Sequence, residues 1–438
     1  MDKLSLLRNV VANLHIEPLT PGVITQNDLD QSPFARARLG PQGYVGVLKP
    51  GGEALSDLAE TVFRSSSLYQ RGCTFEELSS ELFSVLIQSF LDRKSAPIGA
   101  ADVTVLERAV EEWFGTKSRA LHLYVPCILT PRPAPVFHIG PVRFTYLTDF
   151  VTRHSSGNSE MFSANFASML QEMQTQRAFW IAEVDVARTM PKRGRELGEL
   201  AVDLAIAGMQ LLLHPDASRH MSRLTARTVP RYRFDVSEST DSISPTVTNQ
   251  EPGILLAPGT LEHFLREGRS VIAAVGQQVS AFLDFDGVLP TLARAWADGA
   301  YWYHEGLAEP LDTIAIAKLE TAIEVLLRSE KLSGSEARVR QAIHAFYGLK
   351  PDDFINPNST TTVKQFAKGF VRDRSMVLHG TISTLLTSLR TSRGSLEGFV
   401  CVLLTGYALE LQAYAYDPSA SDNLARFLTF VESRRSRA

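Results

Sequence analysis

The sequence predicts an α+β protein: a mixed α/β N-terminal region followed by an all-α C-terminal helical bundle. Three observations predict it. Stretches rich in β-branched and aromatic residues stop at about Pro258. Beyond that point apolar residues recur at intervals of three and four, in stretches joined by short polar connections, which is the pattern of a bundle. The whole chain is 44% apolar and 21% charged, a globular rather than a disordered balance.

At 438 residues the chain exceeds one ordinary core and fits two or three domains. Residues 1–258 read as a mixed α/β sensor or regulatory region. It is one elaborate domain or two small ones, the break then falling near 118. Residues 259–438 read as the helical domain.

The elements justify this in order. Residues 1–50 are rich in Pro and Gly, with a short strand at Tyr44–Leu48. Thr74-Phe75-Glu76-Glu77 has the form of a capping box and precedes Leu78, Leu82, Val85, Leu86 and Phe90, spaced for one helix face. Val103–Phe114 repeats the pattern more briefly. Ala120–Leu129 and Pro135–Leu147 read as strands joined by a Pro-rich turn, and Phe179–Val186 as another strand. Leu197–Leu213 is a helix. Arg231–Val236 and Gly253–Ala257 read as short strands around a polar loop, Ser237–Pro252. The helical segments expected after Pro258 are Thr260–Phe285, Leu289–Leu307, Asp312–Ser329, Ser335–Tyr347, Thr361–Leu389, Leu396–Tyr416 and Asp422–Glu432.

Charge and cysteines narrow the function classes. The net charge is -4, so no global basic field exists and any nucleic-acid contact needs a local patch. Cys73, Cys127 and Cys401 are odd in number and far apart, which fits neither a disulfide framework nor a CxxC knuckle. Arg8, Asn9 and Asn13 interrupt the N-terminal apolar run, making a poor signal peptide. No uninterrupted apolar stretch of about 18 residues is present, so no membrane span is expected. The expected compartment is the reducing cytoplasm.

Several motifs compete for function. Asp284-Phe285-Asp286-Gly287 resembles the nucleophile motif of haloacid-dehalogenase-like phosphatases, with Asp352-Asp353 as a mimic of their late acidic motif. That chemistry needs Asp284 at the end of a buried parallel strand. The upstream apolar residues Ile272, Val275, Val279, Phe282 and Leu283 instead follow a helix period, and Gly287 then reads as a helix C-cap. The histidines, including His214, His220 and His304, show no HxxxH or HExxH spacing, so no metal site is expected. Tyr301-Trp302-Tyr303-His304 reads as core or interface, with base stacking as the minority alternative. Gly51-Gly52 and Gly40–Gly43 match no phosphate loop, and no Gly-x-Ser-x-Gly elbow occurs, so no cofactor is expected.

What remains is Arg374-Ser375-Met376-Val377-Leu378-His379-Gly380. Arginine offers a planar, permanently charged fork suited to a phosphodiester. Histidine, with an ordinary pKa of about 6.5, moves protons at neutral pH. Together they suffice for attack of an RNA 2′-hydroxyl on the adjacent phosphate. Five residues apart on a helix, they stand about 140° apart around its axis, so Arg374 must bend toward the cleft that His379 faces. Ser375 lies one turn before His379. Lys364, Lys368 and Arg372 form a candidate strip for an RNA backbone, with Arg390 and Arg393 farther along.

The heptapeptide resembles the Arg-Ser-x-[Ile/Val]-[Val/Leu]-His-Gly box of the HEPN superfamily, specifically the ApeA-like HEPN proteins. Leu319–Leu327 resembles that family's earlier helix, in which a Glu corresponding to Glu324 precedes paired leucines, and Ala337–His344 sits where its next helix falls. The resemblance covers about residues 290–416, and its specific part is the Arg-to-Gly box. It implies a helical bundle that dimerises so that two such helices line one cleft. It implies metal-independent endoribonuclease activity on tRNA or single-stranded RNA, in phage defence or a toxin-like system, with a trigger or inhibitor protein. Arg374 would bind phosphate and His379 act as general acid and base, with Ser375 and Glu324 supporting. The chain departs from many relatives in carrying Ser375 where they have Asn or another strongly polar residue. The alternative function is a catalytically silent scaffold for RNA binding or dimerisation, the N-terminal region carrying the main activity.

Overall fold

The first helix, α1 (Lys3–Ala12), starts where Asp2 accepts the Ser5 N–H at 2.7 Å and buries Leu6, Leu7, Val10 and Val11 at helical spacing. A computed structural model describes the chain except residues 1, 19–32, 41–42, 94–95, 155–159, 227–231, 240–241, 250–252, 285–286, 329–331, 357–358, 387–388, 390 and 438. Of 160–163, 232–235, 239, 248–249, 332–333 and 370 it describes the backbone alone. The protein is α+β, with a mixed N-terminal region and a helical C-terminal region. It divides into two compact units. One comprises Met1–Leu121 with Val186–Glu196, the other His122–Asp185 with Leu197–Ala438.

In the first unit, β1 (Leu14–Glu17), β2 (Phe34–Gly40) and β3 (Gly43–Leu48) form an antiparallel sheet of order β1-β3-β2. Four helices follow: α2 (Lys49–Arg64), α3 (Ser67–Gly72), α4 (Phe75–Phe90) and α5 (Ala100–Lys117). Thr74 and Glu77 close the expected capping box of α4. The helix α2 is absent from the sequence expectation. Pro50 sits in the first turn, where its missing N–H costs nothing. The two glycines are there for room: a Cβ on Gly51 would lie 2.7 Å from Asn13 Cβ, and one on Gly52 2.6 Å from Ala35 Cβ. Residues 186–196 rejoin this unit through the Met190 N–H on the Gly72 carbonyl at 2.6 Å and Arg71 on the Ala187 carbonyl at 3.0 Å.

The strands β4 (Arg119–Ile128), β5 (Phe137–Ile139), β6 (Val142–Tyr146), β7 (Trp180–Thr189) and β8 (Ser222–Arg223) make a sheet of order β5-β6-β7-β4-β8, which belongs to the second unit except for residues 119–121 and 186–189. Between β6 and β7 lie α6 (Leu147–His154) and α7 (Glu160–Thr175). The helix α8 (Pro191–Gln210) is buried on every side from Ala201 to Gln210, as an all-round apolar helix must be. After the single turn α9 (Pro215–Ser218), β9 (Tyr232–Ser239) and β10 (Ser242–Asn249) pair as a separate antiparallel hairpin. The expected loop Ser237–Pro252 therefore contains a strand. The expected strand Gly253–Ala257 is not one; its Ile254 N–H meets the Leu129 carbonyl at 2.7 Å without forming a ladder.

The bundle comprises α10 (Thr260–Glu267), α11 (Arg269–Leu283), α12 (Pro290–Ala308), α13 (Asp312–Leu326), α14 (Leu332–Tyr347), α15 (Val363–Leu378), α16 (Arg393–Tyr414) and α17 (Leu424–Arg435). The expected helix 260–285 is two, because Gly268 ends α10 and starts α11. Asp284 caps α11, a role expected of Gly287, and the helix places Asp284 off any strand, which removes the phosphatase reading. Phe285 and Asp286 of that motif lie outside the described residues. Asp422 accepts from the Thr291 and Leu292 N–H groups at 2.8 and 2.9 Å and so caps α12 from across the bundle. The Trp296 indole N–H donates to the Leu404 carbonyl at 3.1 Å, joining α12 to α16.

One helix among the described residues, α16, is long and apolar enough to cross a membrane by length and composition. In the fold it buries Leu396, Val400, Leu403, Leu404, Tyr407, Leu411 and Tyr414 against the bundle, as a core helix does.

Candidate functional site

The site is built on α15. Thr362 and Gln365 close a reciprocal cap at its start, at 3.3 and 3.0 Å. The end is a Schellman turn: the Gly380 N–H reaches the Val377 carbonyl at 3.2 Å and the Thr381 N–H the Met376 carbonyl at 3.0 Å. Gly380 takes φ +64 there, with nothing within 4 Å of an added Cβ, so the box needs glycine for backbone conformation and not for space. The helix expected to run to Leu389 thus stops at Leu378, with His379 as its C-cap.

At about 100° per residue, Val363, Ala367, Arg374 and Val377 share one stripe of α15, and Lys364, Lys368, Arg372, Ser375 and His379 share another. Val363, Ala367 and Val377 are buried; Lys364, Lys368, Arg372 and His379 are exposed. Arg374 therefore lies on the buried stripe and His379 on the exposed basic one. The expected bend of Arg374 toward His379 does not occur. Its Nη1 lies 2.6 Å from Glu324 Oε2 on α13, with the arginine side chain 22% exposed and the glutamate 9%. Among the described residues the His379 imidazole has no hydrogen-bond or ion-pair partner.

Around Arg374 is a knot of carboxyl groups. Burial raises the Glu324 carboxyl above its ordinary range, opposed by Arg374 and by a hydrogen bond with Ser335. One turn earlier on α13, Glu320 is fully buried, and neither of its carboxyl oxygens has a hydrogen-bond partner. Burial pushes Glu320 up to about 10, reinforced by the neighbouring Asp373 and Glu324 charges and opposed by Arg374. It is an uncharged acid at neutral pH. Asp373, also buried, accepts from the Thr391 hydroxyl at 2.8 Å and from Arg372 at 2.9 and 3.1 Å.

Sequence reasoning brought Glu324 to the site but missed Glu320 and Asp373. The signal for Glu320 was present: two glutamates four apart on a helix rich in Ala, Ile, Leu and Val share one buried face. Asp373 carried no such signal, because its partner Thr391 is distant in the chain. Arg393, expected to lengthen the basic strip, is instead buried. It donates to Glu397 at 2.7 Å, Asp312 at 3.0 Å and the Leu307 carbonyl at 2.9 Å. Arg390 lies outside the described residues.

Other charged clusters are structural. Arg223 makes a two-point contact with Asp203 at 2.8 and 2.9 Å. His304, wholly buried with Tyr303, faces the Gln210 side-chain oxygen at 2.8 Å, which fits the core reading of the 301–304 aromatic group. Among the described residues no group of three or more His, Cys, Asp or Glu side chains is arranged to hold a metal ion. No family model, no curated protein and no solved structure matches the chain.

Proposed function

We propose that the chain is a metal-independent endoribonuclease of HEPN type, acting in the cytoplasm in phage defence or a toxin-like system. The 2′-hydroxyl of a tRNA or single-stranded RNA attacks the adjacent phosphate. His379 moves the proton and Arg374 binds the phosphate. Ser375 and Glu324 support them, and Lys364, Lys368 and Arg372 hold the backbone. The observation that carries this reading is the placement of His379: exposed, at the tip of α15, and in line with three exposed cations on one helix face. A histidine there is open to solvent and to a polyanion drawn along the strip.

A homodimer forms part of the proposal. Leu378, Leu385 and Leu386, beside His379 in the chain, are 56%, 75% and 90% exposed, an apolar group suited to burial against a second copy. Two α15 helices facing each other would let Arg374 and His379 contribute to one cleft from different chains.

A second reading is favoured by one observation. Arg374 is occupied by Glu324 and faces the bundle interior, as in a catalytically silent scaffold for RNA binding or dimerisation.

One experiment separates them. The protein is incubated with tRNA and single-stranded RNA in EDTA, and fragment ends are analysed. The ribonuclease reading expects 2′,3′-cyclic phosphate ends and loss of cleavage in His379→Ala. Cleavage that survives both His379→Ala and Arg374→Ala would sink it.

A further inference from the structure

The strongest feature left unused is the knot behind Arg374. Glu320 and Glu324 stand four apart on α13, where two ionised carboxylates repel each other. With Glu320 uncharged, the pair carries one negative charge, and the 2.6 Å contact gives that charge to the one positive charge of Arg374. The other charged group acting on Glu320 is Asp373 of α15, which is already bonded to Thr391 and Arg372. Ser335 of α14 bonds Glu324. The helices α12 and α16, also packed on α13, bring no charged group that acts on either carboxyl among the described residues.

The match is incomplete on both sides. Arg374 Nε is buried without a hydrogen-bond partner, and so are both Glu320 oxygens. Arg374 is therefore held by one end of its fork, while its remaining buried N–H is unsatisfied. An unsatisfied buried donor favours any move that gives it an acceptor.

We propose that the Arg374–Glu324 ion pair is an autoinhibitory latch: Glu324 keeps the guanidinium on the inner stripe of α15, and an RNA phosphate must take Arg374 from it. The inference rests on the ribonuclease reading and adds its regulation. A phosphodiester offers the bidentate acceptor that Glu324 does not fill, so the exchange satisfies Arg374 more fully than the latched state does. Glu320 is the silent neighbour that keeps the latch at a single charge. Proton uptake by Glu324 opens it.

The test is binding of a fluorescein-labelled 2′-O-methyl single-stranded RNA, which cannot be cleaved, followed by anisotropy. The variants are Arg374→Ala, Glu324→Gln, Glu324→Asp and the Arg374→Ala/Glu324→Gln pair, each checked by thermal melting. The latch expects Glu324→Gln to bind roughly tenfold tighter than the native chain, the worth of one charge-assisted hydrogen bond. Glu324→Asp gains less, and the double variant binds as weakly as Arg374→Ala. The gap between the native chain and Glu324→Gln closes as pH falls and Glu324 protonates. Weakened binding in Arg374→Ala without a gain in Glu324→Gln overturns the latch alone, as does Glu324→Gln binding as weakly as Arg374→Ala. Unchanged binding in Arg374→Ala overturns the phosphate role itself, and the latch with it.

Discussion

Arg374 and His379 stand about 140° apart on one helix, five residues at about 100° each. The arginine is tied to Glu324 on the buried side, and the histidine is exposed at the C-cap. Their separation decides how the motif can work. A single chain presents His379 with Lys364, Lys368 and Arg372 on one face and turns Arg374 to the other. Under the proposed ribonuclease reading, joint action of the two needs either release of Arg374 or a second chain.

The buried Glu320 carboxyl makes stability depend on pH with a definite sign. Its folded value is about 10, against an ordinary 4.5. Below 4.5 both folded and unfolded chains hold the proton, and the stabilisation is fully present. Above it the unfolded chain releases the proton while the folded chain keeps it, so stability falls as pH rises toward 10. The slope is about 1.4 kcal/mol per pH unit. Glutamine mimics the uncharged acid and has no such slope. Glu320→Gln should therefore be more stable than the native chain at pH 8, by more than at pH 6. Urea midpoints at the two pH values check it; an equal difference at both means the carboxyl is not held neutral.

Gly380 ends α15 through its backbone conformation. Its φ of +64 suits glycine, and an added methyl group meets nothing. Gly380→Ala should cost roughly 1 kcal/mol from the left-handed backbone alone. Gly380→Asn should cost less, since Asn tolerates that region. Urea unfolding monitored by far-UV circular dichroism measures both, and equal losses for Ala and Asn would contradict the assignment.

Lys364 and Lys368 are exposed on the His379 face of α15. If they touch backbone phosphates, Lys364→Gln/Lys368→Gln weakens single-stranded RNA of any sequence alike. The slope of log binding constant against log salt then falls in magnitude by about 1.4, at about 0.7 for each phosphate no longer neutralised. Binding measured across a KCl series reads the slope directly, and an unaltered slope removes the strip from the interface.

The helices were legible where spacing and caps coincide. Thr74 with Glu77 marked the start of α4, and the three-and-four rhythm from Ile272 to Leu283 kept Asp284 off a strand. Legibility failed where a residue's usual meaning was overruled by its neighbours. Gly51 and Gly52 lie inside a helix because Asn13 and Ala35 leave no room for a Cβ. Arg393 reads as a surface cation but is buried, because Glu397, Asp312 and the Leu307 carbonyl satisfy its donors. The heptapeptide itself was visible, but the end of its helix at Gly380 was not, because the helix was expected to run on to Leu389.

By itself the sequence determined the order of mixed and helical regions, the heptapeptide and the angle between Arg374 and His379. These follow from periodicity and from helix geometry, which are local properties. Only the tertiary structure decided what each side chain meets. Arg374 could have faced solvent as readily as Glu324 until α13 was packed against α15. Glu320 became an uncharged acid because burial costs an ionised carboxylate more than losing its charge. Residues 186–196 belong to the first unit, where the Gly72 carbonyl accepts from the Met190 N–H and the Ala187 carbonyl from Arg71, contacts between residues far apart in sequence.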